Sequence, residues 1–148
     1  MIFNVSVYIS INCVNLIEFK FSVIMITGGW TPNVYDDGKR VELLHPDGTH
    51  MCELESLPDK RASHTQSGLI TCGGSYTLNS CLIFSLSDGT WQDHGSTLKQ
   101  RRRGLSSSRR GNTTLLIGGD NSDSSLTTEM ITMDGTQKTS FKLEHPTR

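Results

Sequence analysis

Net charge, paired cysteines and helical periodicity are all scarce in this 148-residue sequence, and each shortage excludes a class of function. A formal charge of −1 at pH 7 supplies no global pull towards nucleic acid or an anionic membrane, so neither is expected as a partner. The four cysteines, Cys13, Cys52, Cys72 and Cys81, lack the CxxC pairs of a zinc site. The histidines His45, His50, His64, His94 and His145 show neither HxH nor HExxH spacing. Ser106, Ser107 and Ser108 have no nucleophile elbow around them, and no glycine loop has a phosphate-cradling pattern. Apolar residues never keep a 3.6-residue period for long, so no amphipathic helix is expected.

The opening segment, residues 1–20, fits no single class. Val5 to Ile11 alternates like a strand, but Asn4, Asn12 and Asn15 interrupt the apolar run and no basic residues precede it. It is too short and too polar to span a membrane, which leaves a degenerate signal or an extra strand. Asn4-Val5-Ser6 and Asn112-Thr113-Thr114 match the glycosylation sequon, which matters only in a secreted chain. Compartment stays open between cytoplasmic and secreted.

What the sequence does have is a ruler. Val23 to Thr27 ends in Gly28-Gly29, Leu69 to Cys72 in Gly73-Gly74, and Thr113 to Ile117 in Gly118-Gly119, and the doublets stand 45 residues apart both times. A β-prone run closed by paired glycines reads as a buried strand followed by a reversal that needs φ > 0 or close backbone approach. Three at one interval are a repeat, and a period of this size points to a solenoid, propeller or array.

A second marker keeps the same register. Asp47-Gly48-Thr49, Asp88-Gly89-Thr90 and Asp134-Gly135-Thr136 each follow a strand-like run and predict type I′ hairpin turns. Twelve residues on from each threonine stand Arg61, Arg102 and Arg148, a register that implies a repeated packing or hydrogen-bonding duty. The interval from Arg102 to Gly118 is four residues longer than that from Arg61 to Gly73, which reads as a loop grown at Ser108 to Gly111. Strands are predicted at 21–27, 40–44, 52–57, 69–72, 80–86, from Trp91 onward, at 113–117, 127–133 and 139–143. The resulting all-β chain divides into the segment 1–20 and a repeat region 21–148, with units at about 21–60, 61–101 and 102–148. Cys72 and Cys81 flank one doublet on neighbouring antiparallel strands, as buried free thiols or as a cross-strand disulfide.

Taken together, the apolar strand ending in Gly-Gly, the variable loop, the polar turn, the aromatic at Trp91 and the connection Leu57 to His64 resemble kelch repeats. The resemblance covers about residues 22–148. It departs from the pattern at His50 and Gln137, which stand where Trp91 stands, and in lacking a tyrosine before each doublet. It implies a partial β-propeller of about three four-stranded antiparallel blades, not all complete and unclosed in this chain. Further blades from sequence outside this chain, or self-association, are then expected, and a chain that ends at a unit boundary and opens without a connecting arginine reads as a fragment. His64 falls where the family often has histidine, and a structural, hydrogen-bonded role facing the blade interior or the channel is implied.

Function follows the same resemblance: a non-enzymatic protein-protein interaction scaffold, with no cofactor or metal, binding an unidentified protein through its blade loops. The contact residues expected are Arg101, Arg103, Arg109 and Arg110 in the basic connection and Asp120 and Asp123 in the acidic loop. The alternative is a piece of a secreted propeller enzyme or glycan-binding protein resembling galactose oxidase, whose copper site would need tyrosine, cysteine and histidine ligands from several blades.

Overall fold

The computed structural model describes residues 2–4, 22–29, 37–75, 79–120, 127–134 and 137–142. Twelve strands follow one another: β1 Ile2–Asn4, β2 Ser22–Thr27, β3 Val41–Leu44, β4 His50–Glu53, β5 Thr65–Ser67, β6 Ile70–Cys72, β7 Ser80–Ser85, β8 Thr90–Thr97, β9 Ser106–Arg110, β10 Thr113–Ile117, β11 Thr127–Thr132 and β12 Gln137–Lys142. A 3-10 turn at Asp37–Lys39 is the one helical element among the described residues. No helix there is long and apolar enough to cross a membrane.

Each run of four consecutive strands pairs as an antiparallel meander, giving sheets β1-β2-β3-β4, β5-β6-β7-β8 and β9-β10-β11-β12. These are three four-stranded blades, and they do not close. Period-2 alternation aims each blade's two faces at different neighbours. On the middle blade Leu82 and Phe84 pack against Met25, Val41 and Leu43 of the first, with Leu54 and Leu57 from the connection. Its other face sets Ile70, Cys72 and Cys81 against Leu116 and Ile131 of the third, with Leu98 and Leu105. The two apolar clusters are therefore the junctions between blades. Strands β5 and β9 lie beside each other, as first strands converging on a common axis do in a propeller.

Several strands differ from the sequence-based expectation. The strand expected at 52–57 lies earlier, at His50–Glu53, because Leu54 and Leu57 leave the sheet to fill the first junction. The expected strand Val5 to Ile11 lies outside the described residues, while Ile2–Asn4 pairs with Ser22 to Ile24.

The four added residues do not form a loop. They lengthen the inner hairpin by two residues on each strand, since β5 and β6 have three residues apiece and β9 and β10 have five. Adding two preserves which face each side chain takes, whereas adding one would invert it. Both hairpins keep a two-residue turn whose first member is glycine at positive φ, Gly68 at 67° and Gly111 at 58°.

The two described Asp-Gly turns, Asp47-Gly48 and Asp88-Gly89, are also not type I′, which needs φ > 0 at both central residues, and Gly135-Thr136 of the third lie outside the described residues. Among the described residues only the glycines qualify, Gly48 at 88° and Gly89 at 70°. Gly48 donates to the His45 carbonyl at 2.9 Å, so Pro46-Asp47 forms the turn and Gly48 leaves it left-handed. Thr49 completes it by donating from amide and hydroxyl to Asp47 Oδ1 at 2.8 and 2.7 Å, which lowers the Asp47 pKa.

Candidate functional site

Alternation of hairpins separates two ends of the array. One end carries the glycine doublets and the connections between blades; the other carries the short hairpin turns at Pro46-Gly48, Gly68-Leu69, Leu86-Gly89 and Gly111-Asn112.

At the doublet end a single arginine ties each blade to the next. Arg61 is fully buried, and its carbonyl accepts from the Gly29 amide of the first blade at 2.9 Å. Its guanidinium reaches into the second blade, donating to the Gly73 and Ser80 carbonyls at 2.9 and 3.0 Å and to Ser80 Oγ at 2.7 Å. One unit later Arg102 repeats the pattern, accepting from Gly74 at 2.9 Å and donating to the Gly118 and Thr127 carbonyls and to Thr127 Oγ1. The glycines are required twice over. Gly28, Gly73 and Gly118 have φ of 57°, 69° and 69°, and a Cβ on Gly28 or Gly73 would come within 2.5 Å of the Arg61 or Arg102 carbonyl oxygen. The third marker, Arg148, lies outside the described residues.

The two arginines differ in one partner. Arg102 Nε donates to Glu129 Oε1 at 2.9 Å with both side chains at 0% exposure, and Glu129 also accepts from the Lys99 and Gln100 amides. Arg61 Nε has no hydrogen-bond partner, because Leu82 stands where Glu129 stands in the next blade. Burial accordingly pushes the Arg61 pKa down to about 10, partly offset by the charges of Asp59 and Asp93. The sequence does not single out Glu129, a lone acid between Thr128 and Met130 of β11.

His64 closes the first junction beside Gly28. Thr27 donates its hydroxyl proton to Gln66 Oε1 at 2.8 Å, so His64 Nε2, also 2.8 Å from Thr27 Oγ1, must be the protonated nitrogen. Nδ1 has no partner, and burial followed by the Arg61 charge lowers the His64 pKa to about 4. Leu105 takes the matching place beside Gly73 in the second junction.

The four basic residues expected to make contacts, Arg101, Arg103, Arg109 and Arg110, do not form one patch. Arg101 and Arg103 are exposed at the doublet end, where Arg103 Nε pairs with Asp120 Oδ2 at 2.7 Å and the Asp120 amide donates to the Arg103 carbonyl at 2.9 Å. Arg109 and Arg110 lie at the opposite end of β9, about 13 Å further along the strand. They sit in a strand rather than in a grown loop, and the Arg109 guanidinium lies so close over Gly68 that a Cβ there would be 2.2 Å from it. Asp123 lies outside the described residues.

Cys72 and Cys81 face each other directly across β6 and β7 and are joined by a disulfide, both sulfurs buried in the second junction. Glu42, His50 and Glu53 bring one donor atom each within 4.8 Å of one another. Arg40 is ion-paired to both glutamates, so this cluster is a salt-bridge network. The chain matches no family model and no curated protein.

Proposed function

We propose that this chain is a kelch-type propeller segment that binds another protein through the exposed loops and connections of its blades and performs no catalysis. The supporting observation is the contrast at the doublet end between a rigid base and a charged rim. Arg102 is fully buried with Glu129, while its neighbours Arg101 and Arg103, with Asp120, point to solvent. A contact surface held on such a base loses little conformational entropy on binding.

Affinity capture tests this with two paired variants, Arg101→Ser/Arg103→Ser and Arg109→Ser/Arg110→Ser, which probe opposite ends of the molecule. The first pair is expected to release the bound protein and the second to retain it. Retention by both removes the basic residues from the site.

The Cys72–Cys81 disulfide favours a second reading, a piece of a secreted propeller enzyme or glycan-binding protein, because disulfides persist in oxidising compartments. Copper uptake with oxidase activity, or retention on a glycan array, would select it.

A further inference from the structure

Of the two glycosylation sequons in the sequence, the fold sets Asn112-Thr113-Thr114 where a bulky substituent has room to stand. Asn112 is exposed at the tip of the β9-β10 hairpin, the second residue of the turn that Gly111 opens at φ 58°. A Cβ on Gly111 would meet nothing within 4 Å, so the space around the tip is open. The backbone there is nonetheless fixed, because the Asn112 carbonyl accepts from the Met133 amide at 3.1 Å. Asn4 is placed differently. It pairs with Ser22 in the β1-β2 ladder, and Ser6 of its sequon lies outside the described residues.

Thr114, which completes the sequon, is turned inwards. It is 1% exposed, and its hydroxyl donates to Ser67 Oγ of the second blade at 3.3 Å. In the folded chain this hydroxyl is out of reach of an enzyme that reads the asparagine and the threonine together. Modification at Asn112 therefore has to precede the docking of β10 on the second blade, as it does when a chain is modified while entering a secretory compartment. The Cys72–Cys81 disulfide, on another blade and of unrelated chemistry, points to the same compartment. Disulfides form and persist in oxidising surroundings such as the secretory lumen, and sequons are used in secreted chains.

We propose that Asn112 carries an N-linked glycan, received from an oligosaccharide on a lipid pyrophosphate carrier before the third blade packs. Asn112 Nδ2 bonds to the anomeric carbon of the first sugar as that carbon's bond to the pyrophosphate oxygen breaks. The lipid pyrophosphate leaves with the electron pair, Nδ2 gives up one proton, and nothing is oxidised or reduced. The glycan then stands at the hairpin-turn end, about 20 Å along β10 from Gly118. Arg101, Arg103 and Asp120 at the doublet end stay uncovered, whereas Arg109 and Arg110, opposite Thr114 and Thr113 in the ladder, flank the attachment point. Glycan attachment at this tip depends on neither functional reading and is compatible with both.

Tryptic mapping of the protein from its own source, before and after treatment with peptide N-glycosidase, tests this. The peptide beginning at Gly111 is expected to be missing at its unmodified mass and to appear after treatment with Asn112 deamidated. Variants secreted from cultured animal cells behind a cleavable leader separate the sequon from the fold. Asn112→Gln and Thr114→Ala should each abolish the glycan on this peptide, and Thr114→Ser, which keeps the sequon and the hydroxyl, should retain it. Asn112→Gln should still fold with Cys72 and Cys81 closed to alkylation, since the fold uses the carbonyl of residue 112. Transfer precedes folding, so the glycan is read on cell-retained chains as well, and a variant that fails to fold is still scored. An unmodified Gly111 peptide in the native protein, a glycan confined to Asn4, or a glycan on this peptide that survives Thr114→Ala would each overturn the assignment.

Discussion

The junction between the first and second blades and the junction between the second and third use the same arginine in the same hydrogen bonds, but the surroundings differ. Arg102 meets a buried carboxylate, Glu129, whereas Arg61 Nε has no hydrogen-bond partner and Leu82 holds the matching position on the second blade. Gly28 is crowded by His64 and Gly73 by Leu105. The carbonyls that anchor the guanidinium are thus the constant part of the joint, and the countercharge is optional. Arg suits this duty because it stays charged and forks towards several acceptors at once, which Lys cannot do.

Removing the arginines should break the comparison most sharply. Arg102→Met removes the buried countercharge of Glu129 while the Lys99 and Gln100 amides still donate to it, a loss expected to cost about 3–5 kcal/mol. Arg61→Met strands carbonyls and a serine hydroxyl but no charge, and should cost about 1–3 kcal/mol. Urea unfolding followed by far-UV circular dichroism separates the two. An equal or greater loss for Arg61→Met would show that the countercharge does not set the difference.

Glu129→Leu converts the second junction into a copy of the first. It should cost about 2–3 kcal/mol, less than Arg102→Met, because Arg102 keeps its carbonyl acceptors as Arg61 does. A cost matching Arg102→Met would mean that the third blade cannot hold its arginine in the manner of the second.

Acid should weaken the first junction selectively. In the unfolded chain His64 takes a proton near pH 6.5, but in the fold it does so only at about 4. The unfolded state therefore binds more protons between these values, so the stability due to neutral His64 is complete above pH 6.5, falls as pH drops through this window and is lost below 4. The drop is on the order of 2 kcal/mol by pH 4.5. His64→Leu, which installs the residue type of Leu105, should lose less stability than the parent between pH 7 and 4.5. Identical losses in both proteins would place the acid sensitivity elsewhere.

How much of this was legible beforehand depended on whether a residue's duty lay within its own blade. Gly28, Gly73 and Gly118 announce themselves because the strand ahead of each is apolar and the turn needs φ > 0. The register of Arg61 and Arg102 is visible in the sequence for the same reason: a fixed number of strand and turn residues precedes each. The first strands were hidden. Thr65-Gln66-Ser67 and Ser106-Ser107-Ser108 carry no apolar alternation, since they are held to each other by hydroxyls, with Thr65 donating to Ser107 at 2.7 Å and Ser107 to the Gln66 carbonyl at 3.1 Å. Glu129 was illegible because a lone acid on a strand usually faces water, and only the neighbouring blade's Arg102 explains its burial.

The smallest expected effect refines the comparison at one backbone position. Two residues after each connecting arginine the chain turns left-handed, at Ser63 with φ of 55° and at Gly104 with φ of 63°. The Gly104 amide donates to the Ser63 carbonyl at 2.7 Å, so the two turns are themselves linked across the blades. A side chain in that region costs about 1–2 kcal/mol, whereas glycine escapes the strain but gives up more freedom on folding. Ser63→Gly should therefore stabilise the chain by about 0.5–1 kcal/mol, and Gly104→Ser should destabilise it by a similar amount. Opposite signs in thermal unfolding would show that the two connections share one backbone geometry. A loss at Ser63→Gly would show that the serine side chain holds its turn in a way the glycine at 104 does not.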